Sequence, residues 1–367
     1  MVPQSAVVPE HPLPSAVALL RQGIEDGYHL GAQVAVSLEG ERVADIAVGE
    51  ARAGVAMASD TLLPWFSGTK ALTAVAVAQQ WERGEVALDD PVASHIPEFA
   101  AGGKERVTVR HLLTHAAGLP NDVLAGTETD GVSWEESLAV ACAAPLKDDW
   151  VPGRRAGYQP KGTFLVLAEI VRLVDGRPFA EYVRDEVFRP LGMEDSFVVL
   201  PPDRAEAYGE RVGVMHAMGT DGARPLSGPP TEARPSSGAM GPAHDLLRFY
   251  EALLAGGRPI LSPQAVEAMT ARHRTGLHDE TFGAVLDFGL GLMVNSWQYR
   301  QKPAPYGYGD RASPRAFGHG GSQSSIAFAD PEHGLAVVVL TNGMAGEKGN
   351  HRRTQPVLTG LYEDLGL

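Results

Sequence analysis

The chain has 367 residues, with 31 lysines and arginines against 45 aspartates and glutamates, a formal net charge of −14. So acidic a surface repels phosphate backbones and anionic headgroups, which disfavours nucleic-acid and membrane partners. With 44% hydrophobic and 21% charged residues the composition is globular, and the length predicts two lobes instead of one core.

In chain order, Val17, Leu20 and Ile24 predict a short opening helix with Ser15 as N-cap and Gly27 as stop. Residues 1–14 lack a basic region followed by an apolar stretch, and no apolar run nears the ~18 residues that span a bilayer, so a cytoplasmic protein is expected. Alternation through Val34, Val36 and Leu38, a Glu39-Gly40-Glu41 turn, and Val43, Ile46 and Val48 predict a β-hairpin. Ser67 and Lys70 follow, one turn apart at the start of an apolar helix. Farther on, His111 and His115 are four apart on an expected helix but lack the glutamate of a His-Glu-x-x-His site, and they are read as structural. Cys142 is the only cysteine, which excludes an intramolecular disulfide and multi-cysteine metal sites; its alanine-rich surroundings suit a small buried group.

The middle of the chain reads as mainly helical, with periodicity at Phe164, Leu167, Ala168, Val171 and Val174, and again at Leu246, Tyr250, Leu253 and Leu254. Loops rich in Gly, Pro and Ser at 118–131, 201–242 and 302–314 interrupt it. Near the end, Phe317 to Ser322 enters a strand pair: Ile326 and Phe328, a turn at 330–334, then the unbroken apolar run Leu335 to Leu340, expected to be central and buried on both faces. A closing helix is predicted over about 355–365. The economical arrangement is a sheet lobe assembled from both ends of the chain, with a helical lobe between and a cleft at the seam.

Three elements bear chemistry. Ser67 is a candidate nucleophile, and Lys70 is a candidate base provided that its surroundings make it neutral. Lysine is scarce, six copies against 25 arginines, which adds weight to Lys70. Tyr158 stands in a turn-rich stretch before the helix near Thr163; beside a cationic lysine its phenol is expected to fall in pKa and relay the serine proton. His319-Gly320-Gly321 places glycines at a strand mouth, where a ligand can approach the backbone. There the N–H of Ser322 would join that of Ser67 around an oxyanion, with His319 as a polar edge. Trp134, Trp150, Tyr306 and Tyr308 are candidates to border an acyl pocket. An α/β-hydrolase is disfavoured, since no Gly-x-Ser-x-Gly occurs.

Ser67-x-x-Lys70, Tyr158 after a Pro-Gly turn, and His319-Gly320-Gly321, in this order and at these separations, resemble the serine β-lactamase and penicillin-binding-protein superfamily, in its class C β-lactamase-like branch. The segments 111–120, 188–193 and 330–342 resemble it too. The likeness implies an α+β fold, an α/β sandwich whose antiparallel sheet is built by residues 1–85 and 285–367, with 86–284 as the inserted, mainly helical lobe. It also implies an acyl-enzyme on Ser67, Lys70 and Tyr158 as proton handlers, a small-molecule acyl substrate, and no cofactor or metal. Two departures matter. Tyr158-Gln159-Pro160 replaces Tyr-x-Asn, and His319 replaces the lysine of Lys-Thr-Gly, a cation that would meet a drug's carboxylate. Both changes resemble the family VIII carboxylesterases, so ester hydrolysis is favoured over β-lactam hydrolysis. Acyl transfer to an amine or alcohol, peptide cyclisation, amide hydrolysis, and a catalytically silent binding or sensor protein are the alternatives.

Overall fold

The computed structural model describes residues 12–124, 132–226, 228, 230–299 and 306–367. Its centre is an antiparallel sheet of eight strands: β1 (Gly31–Leu38), β2 (Glu41–Arg52), β3 (Val55–Ala56), β4 (Asp287–Phe288), β5 (Met293–Val294), β6 (Phe317–Gly321), β7 (Ser325–Asp330) and β8 (Leu335–Thr341), in the spatial order β4-β5-β6-β7-β8-β1-β2-β3. The two ends of the chain therefore meet in the middle of the sheet, where Ala32 pairs with Thr341 and Leu38 with Leu335. The hairpin β1–β2 forms as its alternation requires, with a register shift between Val36 and Ser37. Every residue of β8 is buried, as its unbroken apolar run demands.

The strand period of two divides the sheet into two unlike faces. Val34, Val36, Ile326, Phe328, Val337 and Val339 face α1 (Pro14–Glu25) and the long closing helix α5 (Gly346–Asp364). Ala35, Ala327, Ala329, Ala336 and Val338 face the other way. Their small side chains let α4 (Ala243–Leu254), which lies within the 86–284 segment, pack on β1, β7 and β8. Beyond it α2 (Thr69–Glu82) runs through the interior, buried at every residue from Thr69 to Gln80, and packs on α3 (Gly162–Asp175). A helix buried all round has no polar face to leave in water, which is why Ala and Val fill it.

Three element limits depart from the sequence reading. Helix α1 begins at Pro14, so Ser15 lies inside its first turn, and the N–H groups of Ser15 and Ala16 donate to the Asp364 carboxylate at the far end of the chain, at 2.9 and 3.0 Å. A distant carboxylate thus does the capping expected of a local hydroxyl. Helix α5 starts at Gly346, nine residues before the predicted start. Its first turns, Lys348 to Arg353, are polar apart from Gly349, and Pro356 lies inside it, two features that read as loop. The 201–242 stretch holds a helix (Pro202–Tyr208) and a small hairpin (His216–Gly219 with Gly222–Pro225). Of the other two long loops, residues 125–131 and 302–305 lie outside the described residues. Cys142 is a free, buried thiol in the helix Trp134–Ala143. No described helix is long and apolar enough to cross a membrane.

Candidate active site

Ser67 sits in a single 3-10 turn, Phe66–Gly68, that feeds α2, and Lys70 is the second residue of that helix. The turn is tightly determined. The Trp65 N–H donates to the Ala239 carbonyl at 2.8 Å, the Trp65 indole to the Gly241 carbonyl at 3.0 Å, and the Trp65 carbonyl accepts from the Ser325 hydroxyl at 2.9 Å. These bonds hold Phe66 at φ +46°, in the left-handed region that a bulky residue normally avoids. The strain directly before the candidate nucleophile is sustained by its neighbours on both sides.

Lys70 is fully buried. Its Nζ donates to the Pro160 carbonyl at 2.6 Å and to the Ser236 carbonyl at 3.0 Å, and lies 3.2 Å from Ser67 Oγ. It also lies over the rings of Tyr158 and Phe164, 5.2 and 5.3 Å from their centroids. The Tyr158 hydroxyl lies close enough to the Ser67 side chain to be stabilised by it as phenolate. Burial pushes the Tyr158 phenol well above its ordinary pKa, and the Ser67 side chain opposes that rise only in part. The expected fall is therefore reversed: desolvation of the phenolate dominates, and Tyr158 is a neutral phenol at pH 7.

Tyr158 is held from behind. Its N–H donates to both Asp279 oxygens at 3.0 Å, and its carbonyl accepts from the Thr281 hydroxyl at 2.8 Å. Asp279 is wholly buried and paired with the equally buried Arg274 at 3.0 Å. Pro160 stands where Tyr-x-Asn has its asparagine and brings no amide, and the adjacent Gln159 turns away to cap α3: its Oε1 accepts from the N–H groups of Lys161 and Thr163 at 2.8 and 3.2 Å. The backbone carbonyl of Pro160 supports the lysine from the third position of that motif.

His115 lies past the end of the short helix Val109–Leu113, at φ +54°, so the two histidines do not share a helix face. His111 Nδ1 accepts the Thr108 N–H, whereas His115 Nδ1 accepts the Gln159 N–H at 3.2 Å and its ring packs 4.5 Å from that of Tyr158. No metal-binding cluster occurs among the described residues.

From the sheet side, β6 ends beside the Ser67 turn. A Cβ on Gly321 would stand 2.3 Å from the Trp65 carbonyl oxygen, so only glycine allows this approach. Ser67, Tyr158, His319, Gly320 and Ser322 all border one cavity of about 1390 Å³. Of the four aromatic candidates only Tyr306 does, its ring covering Gly320. Trp150 lies against Gly118 with its indole N–H on the Ala116 carbonyl, Trp134 binds Glu169, and the buried Tyr308 donates to the Met293 carbonyl. Phe282, Met293 and Trp297 line the cavity in their place. The residues missed from sequence are Asp279 and Arg274, since a buried pair between distant segments leaves no local pattern; His115, read as structural, packs on the ring of Tyr158.

A family model described as Beta-lactamase matches residues 16–360. The chain belongs to the beta-lactamase family. Within that family, esterase EstB of Burkholderia gladioli is 32% identical over 370 residues, covering 90% of this chain and 91% of EstB. Among solved structures, a penicillin-binding protein homolog from Caulobacter crescentus has a TM-score of 0.77 at 29% identity, covering 96% of this chain and 97% of that one. A family VIII carboxylesterase has a TM-score of 0.77 at 25% identity, with the same shares covered. The mixed architecture, helices with an antiparallel sheet, is that of the beta-lactamase family.

Proposed function

We propose that the protein is a carboxylic-ester hydrolase that works through an acyl-enzyme on Ser67. The observation that carries this reading is the placement of Ser67 between the Lys70 amino group at 3.2 Å and the Tyr158 hydroxyl, at the wall of a large cavity. Ser67 Oγ attacks the ester carbonyl, the Lys70–Tyr158 pair accepts its proton and returns it to the leaving alkoxide, and the N–H groups of Ser67 and Ser322 hold the oxyanion. Water then repeats the sequence on the acyl-enzyme. Ester is favoured over β-lactam because Pro160 leaves no side-chain amide at the third position of the Tyr-x-Asn motif, and the histidine of the third motif is uncharged. The esterase relatives support the same choice.

Incubation with a fluorophosphonate and with short-chain nitrophenyl esters tests the reading: the wild type acquires one adduct on Ser67 and turns the esters over, and Ser67→Ala does neither. A wild type inert to both reagents refutes it, and the binding-scaffold alternative takes its place.

The resting site also sets a pH dependence. Burial, and then Lys70, hold the His319 imidazole down at about 3, and burial holds His115 well below its ordinary value. Both are neutral through pH 7, so neither titrates near 6.5. A phenol at Tyr158 is no base, so the proton path needs Lys70 without its third proton. The value of kcat/KM should therefore rise with pH through and above neutrality. A limb near 6.5 that His319→Gln removes would contradict this assignment.

A further inference from the structure

The wholly buried Asp279 carboxylate gathers the N–H groups of two distant segments. Its Oδ1 accepts from Tyr158 at 3.0 Å and from Thr281 and Phe282 at 3.0 and 3.1 Å, while Oδ2 lies 3.0 Å from both the Tyr158 N–H nitrogen and the Arg274 guanidinium. The Thr281 hydroxyl donates to the Tyr158 carbonyl at 2.8 Å, and the Phe282 ring packs 4.8 Å from that of Tyr158. One small hairpin, residues 278–285, thus grips the phenol-bearing residue at its N–H, its carbonyl and its ring. The same hairpin supplies Thr281 and Phe282 to the wall of the Ser67 cavity. The grip needs a carboxylate. An amide at 279 has one acceptor oxygen, and its NH2 group would oppose either Arg274 or the Tyr158 N–H, donor against donor. Arg274 is itself fixed, by the Leu286 and Thr114 carbonyls and by the Phe288 ring 4.2 Å away. A buried ion pair gains little stability over apolar packing, so its place directly behind the candidate proton handler points to a role in geometry.

We infer that Asp279, held by Arg274, is a positioning residue of the reaction: it sets the Tyr158 hydroxyl beside Ser67 and ties the cavity wall at Thr281 and Phe282 to the same anchor. It acts through Tyr158 and touches no reacting atom. The inference rests on the ester-hydrolase reading and extends it to the residues that keep the proton path aligned.

A double-mutant cycle with Tyr158→Phe tests it. With Tyr158 present, Asp279→Asn should lower kcat/KM for para-nitrophenyl butyrate by about tenfold to a hundredfold. Where Tyr158→Phe has already removed the hydroxyl, the same change should cost less than about threefold. A general structural lesion multiplies through both backgrounds, whereas a positioning defect vanishes with the group that is positioned. Thr281→Val is the second arm, at an exposed turn position. It deletes only the bond to the Tyr158 carbonyl and should show the same dependence on background with a smaller loss, about threefold to tenfold. Asp279→Asn within about twofold of wild type, or with equal losses in both backgrounds, overturns the inference. Near-UV circular dichroism reports folding, and where Asp279→Asn does not fold, Thr281→Val decides by the same criteria. Rates of fluorophosphonate labelling of Ser67 extend the cycle to variants too slow for ester turnover. A wild type inert to ester and fluorophosphonate alike refutes the hydrolase reading, and this inference with it; a labelled, active wild type with equal losses refutes the inference alone.

Discussion

Lys70→Met is expected to lower ester turnover by about 10²–10⁴, the range of an acid–base contribution, while leaving the fold intact. Methionine fills a similar volume and keeps the buried stem apolar. What it removes is the group that donates to Ser67 Oγ and to the Pro160 and Ser236 carbonyls. The buried Ser236 carbonyl then lacks this donor, at a cost of about 1–3 kcal/mol, and the half-buried Pro160 carbonyl loses it too, so the melting temperature should fall as well. Lys70→Arg is no rescue, because a planar guanidinium cannot reproduce the converging donors of an ammonium and does not lose its proton. The two effects are separable: circular dichroism and thermal melting report the carbonyls, and fluorophosphonate labelling rates report the nucleophile. Turnover within tenfold of wild type would remove Lys70 from the proton path.

The second large effect is expected at a residue with no side chain. Gly321→Ala places a methyl 2.3 Å from both the Trp65 carbonyl oxygen and Ser325 Oγ, and 3.1 Å from Phe66 Cβ. Backbone cannot swing aside as a flexible side chain does, so β6 and the Ser67 turn must separate. A displacement near 1 Å at reacting atoms is enough for about a hundredfold loss in kcat. The loss should appear with a lower melting temperature, since the Ser325 hydroxyl bond to Trp65 is strained at the same time. Gly320→Ala is the internal comparison. Its methyl meets the ring of Tyr306 at 2.1 Å, a side chain at the cavity wall that can turn, so the change should fall on KM more than on kcat. Equal losses of kcat in the two variants would show that Gly321 does not hold the turn.

Much of the site was legible because its core is local. Ser67 and Lys70 stand one turn apart, and that spacing alone brings them together once α2 forms. Tyr158 and His319 were legible as motifs with a fixed order, and their convergence follows from a sheet closed by both ends of the chain. The acceptors that hold Lys70 were not, because the Pro160 and Ser236 carbonyls are backbone atoms with no residue-type signature. Nor was the direction of the Tyr158 shift. A nearby cation pulls a phenol down and burial pushes it up, and burial is a property of the folded packing. The aromatic candidates failed for a related reason. Trp134, Trp150 and Tyr308 are large apolar groups with a donor, and each found a partner elsewhere in the interior.

The pairing of β1 with β8 sets an order of events during synthesis. The strand against which Gly31–Leu38 must settle is Leu335–Thr341, so a growing chain carries an apolar hairpin with one unsatisfied edge until nearly all of it has been made. Closure at such separation is slow, and exposed edges invite association with other chains. The carboxylate that caps α1 comes still later, at Asp364. Recombinant yield should therefore depend on translation rate, temperature and chaperone supply more than on the stability of the finished molecule, and 3′-end truncations of the coding sequence should accumulate as aggregates.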